Sequence, residues 1–89
     1  MQTWELTASG RVQGVGFRYF VFQIALAHGI RGYAKNLADG NVKIVASGNE
    51  PDLARFYDSV KLGNRHVLVR DLQIMKLDSA EEYNDFKIR

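Results

Sequence analysis

Apolar positions recur along the 89-residue chain with two alternating periods, and these predict its elements. From Thr3 to Val12 the period is two. Trp4, Leu6, Ala8, Gly10 and Val12 fall on one face, and Thr3, Glu5, Thr7, Ser9 and Arg11 on the other, which describes a strand with one buried face. From Phe17 to His28 the period lengthens to that of a helix, with Phe17, Phe20, Val21, Ile24 and Ala25 forming the stripe. His28 stands in the last turn, where a cation suits the dipole, and Gly29 follows as the residue after the cap. Ile30 to Leu37 is a second strand, and Asp39-Gly40 is a hairpin turn into a third. There Val42, Ile44 and Ala46 face inward, while Lys43, Val45 and Ser47 face out. Asn49 is placed to cap a helix beginning near Pro51. Leu53, Phe56, Tyr57 and Val60 give that helix its stripe, and Gly63-Asn64 stops it. Val67 to Leu77 is a fourth strand whose apolar phase changes, so a bulge is expected near Arg70-Asp71. Ser79 to Asp85 is polar and reads as a loop, and Phe86 and Ile88 mark a short last strand.

The order β-α-β-β-α-β with a short C-terminal strand predicts an α+β fold of the ferredoxin-like type. Right-handed crossovers would place both helices on one face of a mixed, mainly antiparallel sheet. No linker or repeat interrupts the pattern, so one domain is expected over residues 1–89. An apolar content of 46% is ordinary for a chain with a packed core. The chain has no cysteine, which excludes disulfides, a thiol nucleophile and thiolate metal ligands. It shows neither a signal peptide nor an apolar run approaching the roughly 18 residues of a membrane span. A cytoplasmic protein is therefore expected. Twelve basic and ten acidic residues leave a net charge of +2, too balanced to argue for nucleic acid. His28 and His66 have no companion at metal-ligand spacing, so no metal site is expected.

The chemistry gathers between the first strand and the first helix, in Gly10-Arg11-Val12-Gln13-Gly14-Val15-Gly16-Phe17-Arg18. Glycines at 10, 14 and 16 admit positive φ and a close approach of backbone to a bound group. Backbone N–H groups converging at a helix start suit a phosphate-sized anion, and Arg18 adds a planar fork of donors. Glycines alone also describe a turn that merely reverses the chain. The loop lacks the Gly-Lys-Ser/Thr of a Walker A motif and the glycine spacing of a dinucleotide-binding fingerprint. Asn36 stands at the end of the second strand. An Asn there is commonly a turn former, but a strand-end amide facing the loop would offer a donor and an acceptor for positioning a water.

Two segments, Gly-Arg-Val-Gln-Gly-Val-Gly-Phe-Arg at 10–18 and Gly-Tyr-Ala-Lys-Asn-Leu-Ala-Asp-Gly at 32–40, together resemble the signatures of the acylphosphatases. The likeness continues through Val42 to Gly48, the second helix and the closing Phe86-Lys87-Ile88-Arg89. The resemblance implies hydrolysis of acyl phosphates to a carboxylate and inorganic phosphate, without metal or other cofactor. It implies that Arg18 binds the phosphate, that the amides of Gln13, Gly14, Val15, Gly16, Phe17 and Arg18 cradle it, and that Asn36 orients the attacking water. Inorganic phosphate would then be product and inhibitor, and the protein a monomer with no nucleic-acid or membrane partner. The chemistry is compatible. The leaving carboxylate has a conjugate acid with a pKa of about 4, so no general acid is needed to expel it.

The chain departs from the usual pattern of the family it resembles at Phe22, Ile24, Leu26 and His28 in the first helix, at Ala38, and at Gly63-Asn64-Arg65-His66. Phe22 and Leu26 with Tyr19 read either as scattered surface apolar residues or as a contact patch. An RNA-recognition module shares the element order, but the outward residues of its central strands would have to be aromatic, and here they are not. A closer rival is a non-catalytic binding domain, like the acylphosphatase-like module of hydrogenase-maturation carbamoyltransferases.

Overall fold

The computed structural model describes residues 1–78 and 81–89. In chain order its elements are β1 (Gln2–Arg11), α1 (Phe17–His28), β2 (Arg31–Asn36), β3 (Val42–Gly48), α2 (Glu50–Leu62), β4 (Leu68–Leu77) and β5 (Phe86–Ile88). The strands form one sheet in the order β4-β1-β3-β2-β5. All neighbours run antiparallel except β2 and β5, which are parallel. The fold is the ferredoxin-like arrangement that the element order predicts.

The inward face of the sheet and the two helical stripes make the core. Trp4, Leu6, Ala8 and Val12 meet Ala34 and the β3 residues Val42, Ile44 and Ala46, under Phe17, Val21 and Ala25 of α1 and Leu53, Phe56 and Val60 of α2. Phe56 and Phe86 pack 6.4 Å apart, fastening α2 to the short β5. The Tyr57 hydroxyl donates to the Leu72 carbonyl at 2.7 Å, so the half-buried member of the α2 stripe finds a polar partner in β4.

The expected bulge in β4 is present. Ser9 pairs with Asp71 and Gly10 with Val69, leaving Arg70 as the extra residue where the apolar phase changes. Val67 and Leu72 are buried on either side of it, whereas Ile74 is exposed. Helix α1 ends on Gly29 in the left-handed conformation, and the Ile30 N–H closes it on the Ala25 carbonyl at 2.9 Å.

Three expectations need correction. Asn49 occupies the N-cap of α2, but its side chain makes no cap bond there; its carbonyl accepts the Leu53 N–H at 2.9 Å. Val45 and Ser47 are buried although they point away from the helices. The segment 81–84 lines a cleft with Thr3, Arg31 and Ser47, and Tyr83 packs 6.1 Å from Tyr33, so this sheet face is partly covered. The buried hydroxyls of Thr3 and Ser47 pair with each other at 3.1 Å, which limits the cost of that burial. Phe22 is partly buried, tilted against Phe86 at 6.5 Å, so it belongs to the core margin rather than to an exposed patch. Of the loop expected over Ser79 to Asp85, residues 79 and 80 lie outside the described residues. Among the described residues, no helix is long and apolar enough to cross a membrane.

Candidate active site

The chain leaves β1 at Arg11 and buries Val12, then turns through Gly14 (φ 72°) and Gly16 (φ 77°) into α1. Both glycines hold the left-handed conformation that a side chain resists. Gly16 is the N-cap of α1, and its carbonyl accepts the Phe20 N–H at 3.0 Å. Having no side chain, it leaves the first-turn N–H groups without the usual cap. The first turn also carries no acidic residue that would repel an anion. A Cβ placed on Gly14 or Gly16 would meet nothing within 4 Å, so the backbone here borders open space. That is the geometry of an anion-binding helix start.

Phe17 fixes the helix start by full burial, and Arg18 follows it half-buried. Asn36 arrives from another direction as the last residue of β2, paired with Val42 across the hairpin. Arg18 and Asn36 line one pocket of about 200 Å³, together with Val12, Gly14, Gly16, Phe17, Tyr19 and Ile88. The side-chain oxygen of Asn36 is buried and accepts no hydrogen bond from the described residues. A buried, unpaired acceptor costs roughly 1–3 kcal/mol, and such costs are tolerated where a ligand or water supplies the donor.

Two contacts hold the site together, and neither was legible in the sequence. The Arg18 guanidinium donates to the main-chain oxygen of Arg89 at 2.7 Å. Arg89 in turn donates its N–H to the Ala34 carbonyl at 2.8 Å and lays its guanidinium over the Tyr33 ring at 4.2 Å. Arg18 is thereby referenced to β2, the strand that ends in Asn36. The second contact is made by Gln13. Its side-chain amide donates to the carbonyls of Leu37 and Asn41, each at 2.8 Å. The loop that carries the glycines is thus bolted to the β2–β3 turn, whose own closure is the 2.8 Å bond from Leu37 N–H to the Asn41 carbonyl.

Of the six residues expected in the cradle, Gly14, Gly16, Phe17 and Arg18 line the pocket, and Gln13 and Val15 do not. Gln13 turns its side chain to the hairpin, and Val15 packs against the core. Tyr19 and Ile88, absent from the expected set, line the pocket. A tyrosine next to the arginine was the available signal for Tyr19. The place of Ile88 follows only from the parallel pairing of β5 with β2. Among the described residues, no three His, Cys, Asp or Glu side chains gather where they could share a metal ion.

The acylphosphatase family model matches residues 4–88. An acylphosphatase of Archaeoglobus fulgidus is 45% identical over 84 residues, covering 94% of this chain and 93% of that one. The crystal structure of the Bacillus subtilis acylphosphatase superposes with a TM-score of 0.95 at 39% identity, covering 100% of this chain and 99% of that one. The crystal structure of HypF from T. kodakarensis carries the same fold within a longer protein, with a TM-score of 0.89 at 30% identity over 100% of this chain and 12% of that one. The sequence match over nearly the whole length and the shared fold together make this chain a member of the acylphosphatase family.

Proposed function

We propose that the chain hydrolyses the carboxyl–phosphate bond of acyl phosphates in the pocket between Arg18 and Asn36. One observation carries the reading: a glycine-capped helix start, an arginine and a buried strand-end amide, drawn from separate elements, line a single small pocket. The first-turn amides and the Arg18 fork hold the phosphoryl oxygens and stabilise the charge that gathers on them during transfer. The Asn36 carboxamide holds a water against phosphorus. The water oxygen bonds to phosphorus as the bond to the acyl oxygen breaks, and the electron pair leaves with the carboxylate. No imidazole or carboxylate side chain is among the described residues lining the pocket, so we assign the water's proton to a phosphate oxygen of the substrate. The carboxylate leaves unprotonated because its conjugate acid has a pKa of only about 4.

The direct test is hydrolysis of benzoyl phosphate, followed by ultraviolet absorbance in the presence of a chelator. Turnover that survives the chelator and is inhibited competitively by inorganic phosphate supports the reading; absence of turnover from the folded protein sinks it. The protein is read as a monomer, and sedimentation equilibrium checks that. The cysteine-free composition suits the cytoplasm.

A further inference from the structure

The pocket offers more than a phosphate can use. Half of its lining is apolar: Val12 and Phe17 are fully buried at its base, whereas Tyr19 is 57% and Ile88 43% exposed. A phosphate gains nothing from an aromatic ring or an aliphatic side chain, but the acyl group bonded to it does.

We propose that Tyr19 and Ile88 form an acyl-group subsite that favours acyl phosphates with a planar, apolar acyl group, aryl above all, over acetyl phosphate. This rests on the phosphate-site reading above. Tyr19 and Ile88 line the same pocket of about 200 Å³ as Arg18, so an acyl group attached to a phosphate held by that arginine lies within reach of both. The Tyr19 ring is not loose. It stacks on Phe22 with centroids 6.2 Å apart and planes 21° from parallel. Phe22 packs in turn on Phe86 at 6.5 Å, and Phe86 stands in β5 two residues before Ile88. An aromatic chain from α1 to β5 therefore holds both subsite residues in place, so less ordering remains when a substrate arrives.

The test compares kcat/KM for benzoyl phosphate and acetyl phosphate in the unaltered protein and in Tyr19→Ala, Tyr19→Phe and Ile88→Thr. Aromatic pairs contribute enough beyond simple burial for Tyr19→Ala to lower the benzoyl-to-acetyl ratio by about 3- to 10-fold. Tyr19→Phe retains the ratio, since the ring and not the hydroxyl makes the contact, and Ile88→Thr lowers it by a smaller factor. The inhibition constant of inorganic phosphate, which has no acyl group, stays within about twofold throughout. A ratio unmoved by both Tyr19→Ala and Ile88→Thr overturns the subsite while leaving the phosphate reading intact. A phosphate inhibition constant that worsens as much as the ratio assigns Tyr19 to the phosphate site and also overturns it. If the unaltered protein hydrolyses neither substrate, the phosphate-site reading falls and the subsite falls with it.

Discussion

Arg18 and Asn36 share one pocket but differ in what each loses on truncation. On the proposed reading Arg18 supplies positive charge, and Arg18→Ala would leave only the helix amides to hold a doubly charged phosphoryl group. We expect that variant to lose at least about 10³-fold in kcat/KM, by analogy with arginines that act on transferring phosphoryl groups, and to lose inhibition by inorganic phosphate. Arg18→Lys keeps the charge without the bidentate fork or the bond to Arg89, and recovers only a small part of the activity. Asn36→Ala removes an uncharged group whose oxygen is already unpaired, so the fold tolerates it and phosphate still binds. Its expected effect is on kcat, by about 10²-fold, with the phosphate inhibition constant within threefold. If Asn36→Ala weakened phosphate inhibition as severely as Arg18→Ala does, Asn36 would be a phosphate ligand and not a holder of water. Both residues stand out in the sequence because each sits in a motif. The bonds of the Gln13 side chain do not, since they join it to two carbonyls 24 and 28 residues away, and carbonyls carry no sequence signal.

At the scale of elements, the periods of two and 3.6 placed β1, β3 and both helices, because each turns an apolar face to a common core. The β4 bulge was legible for the same reason: a change of phase in an amphipathic strand requires an extra residue. The burial of Val45 and Ser47 was not. Ser47 lines a cleft with the 81–84 segment, a long-range contact that the local pattern does not encode. The site depends on how the glycine loop meets the β2–β3 turn, and Gln13→Ala removes both 2.8 Å bonds between them. At roughly 0.5–1.5 kcal/mol per bond, a loss of about 1–3 kcal/mol in unfolding free energy is expected, read from urea midpoints at unchanged slope. Gly32 is a second fixed point, where β2 lies so close to β3 that a Cβ would stand 1.8 Å from the Val45 carbonyl oxygen. With φ at 138° as well, Gly32→Ala should cost roughly 3 kcal/mol or more and shift the register that positions Asn36.

Across the whole molecule, the C-terminal segment connects the outer sheet face to the site. Tyr83 packs on Tyr33, the Arg89 guanidinium lies over that same ring, and the Arg89 main-chain oxygen accepts from Arg18. The bond between Tyr83 and Glu81 within this segment carries a pH signature. The Tyr83 hydroxyl donates to the Glu81 carboxylate at 2.6 Å, and this bond, with partial burial, pushes the phenol up to about 12 from its usual 10. Both causes favour the neutral phenol of the folded state. Below pH 10 the tyrosine is protonated in folded and unfolded chains alike, and its contribution to stability is complete. Between pH 10 and 12 the unfolded chain gives up the proton first, so stability falls as pH rises. Above 12 the loss is complete. Other groups titrate in the same range, so the quantity to follow is the difference in unfolding free energy between the unaltered protein and Tyr83→Phe, which has no proton to lose. That difference should stay flat to about pH 10 and decline from there to about 12. A difference that remains flat through pH 12 would mean that Tyr83 gives up its proton as readily in the folded protein as in the unfolded chain, and that its bond to Glu81 does not order the segment.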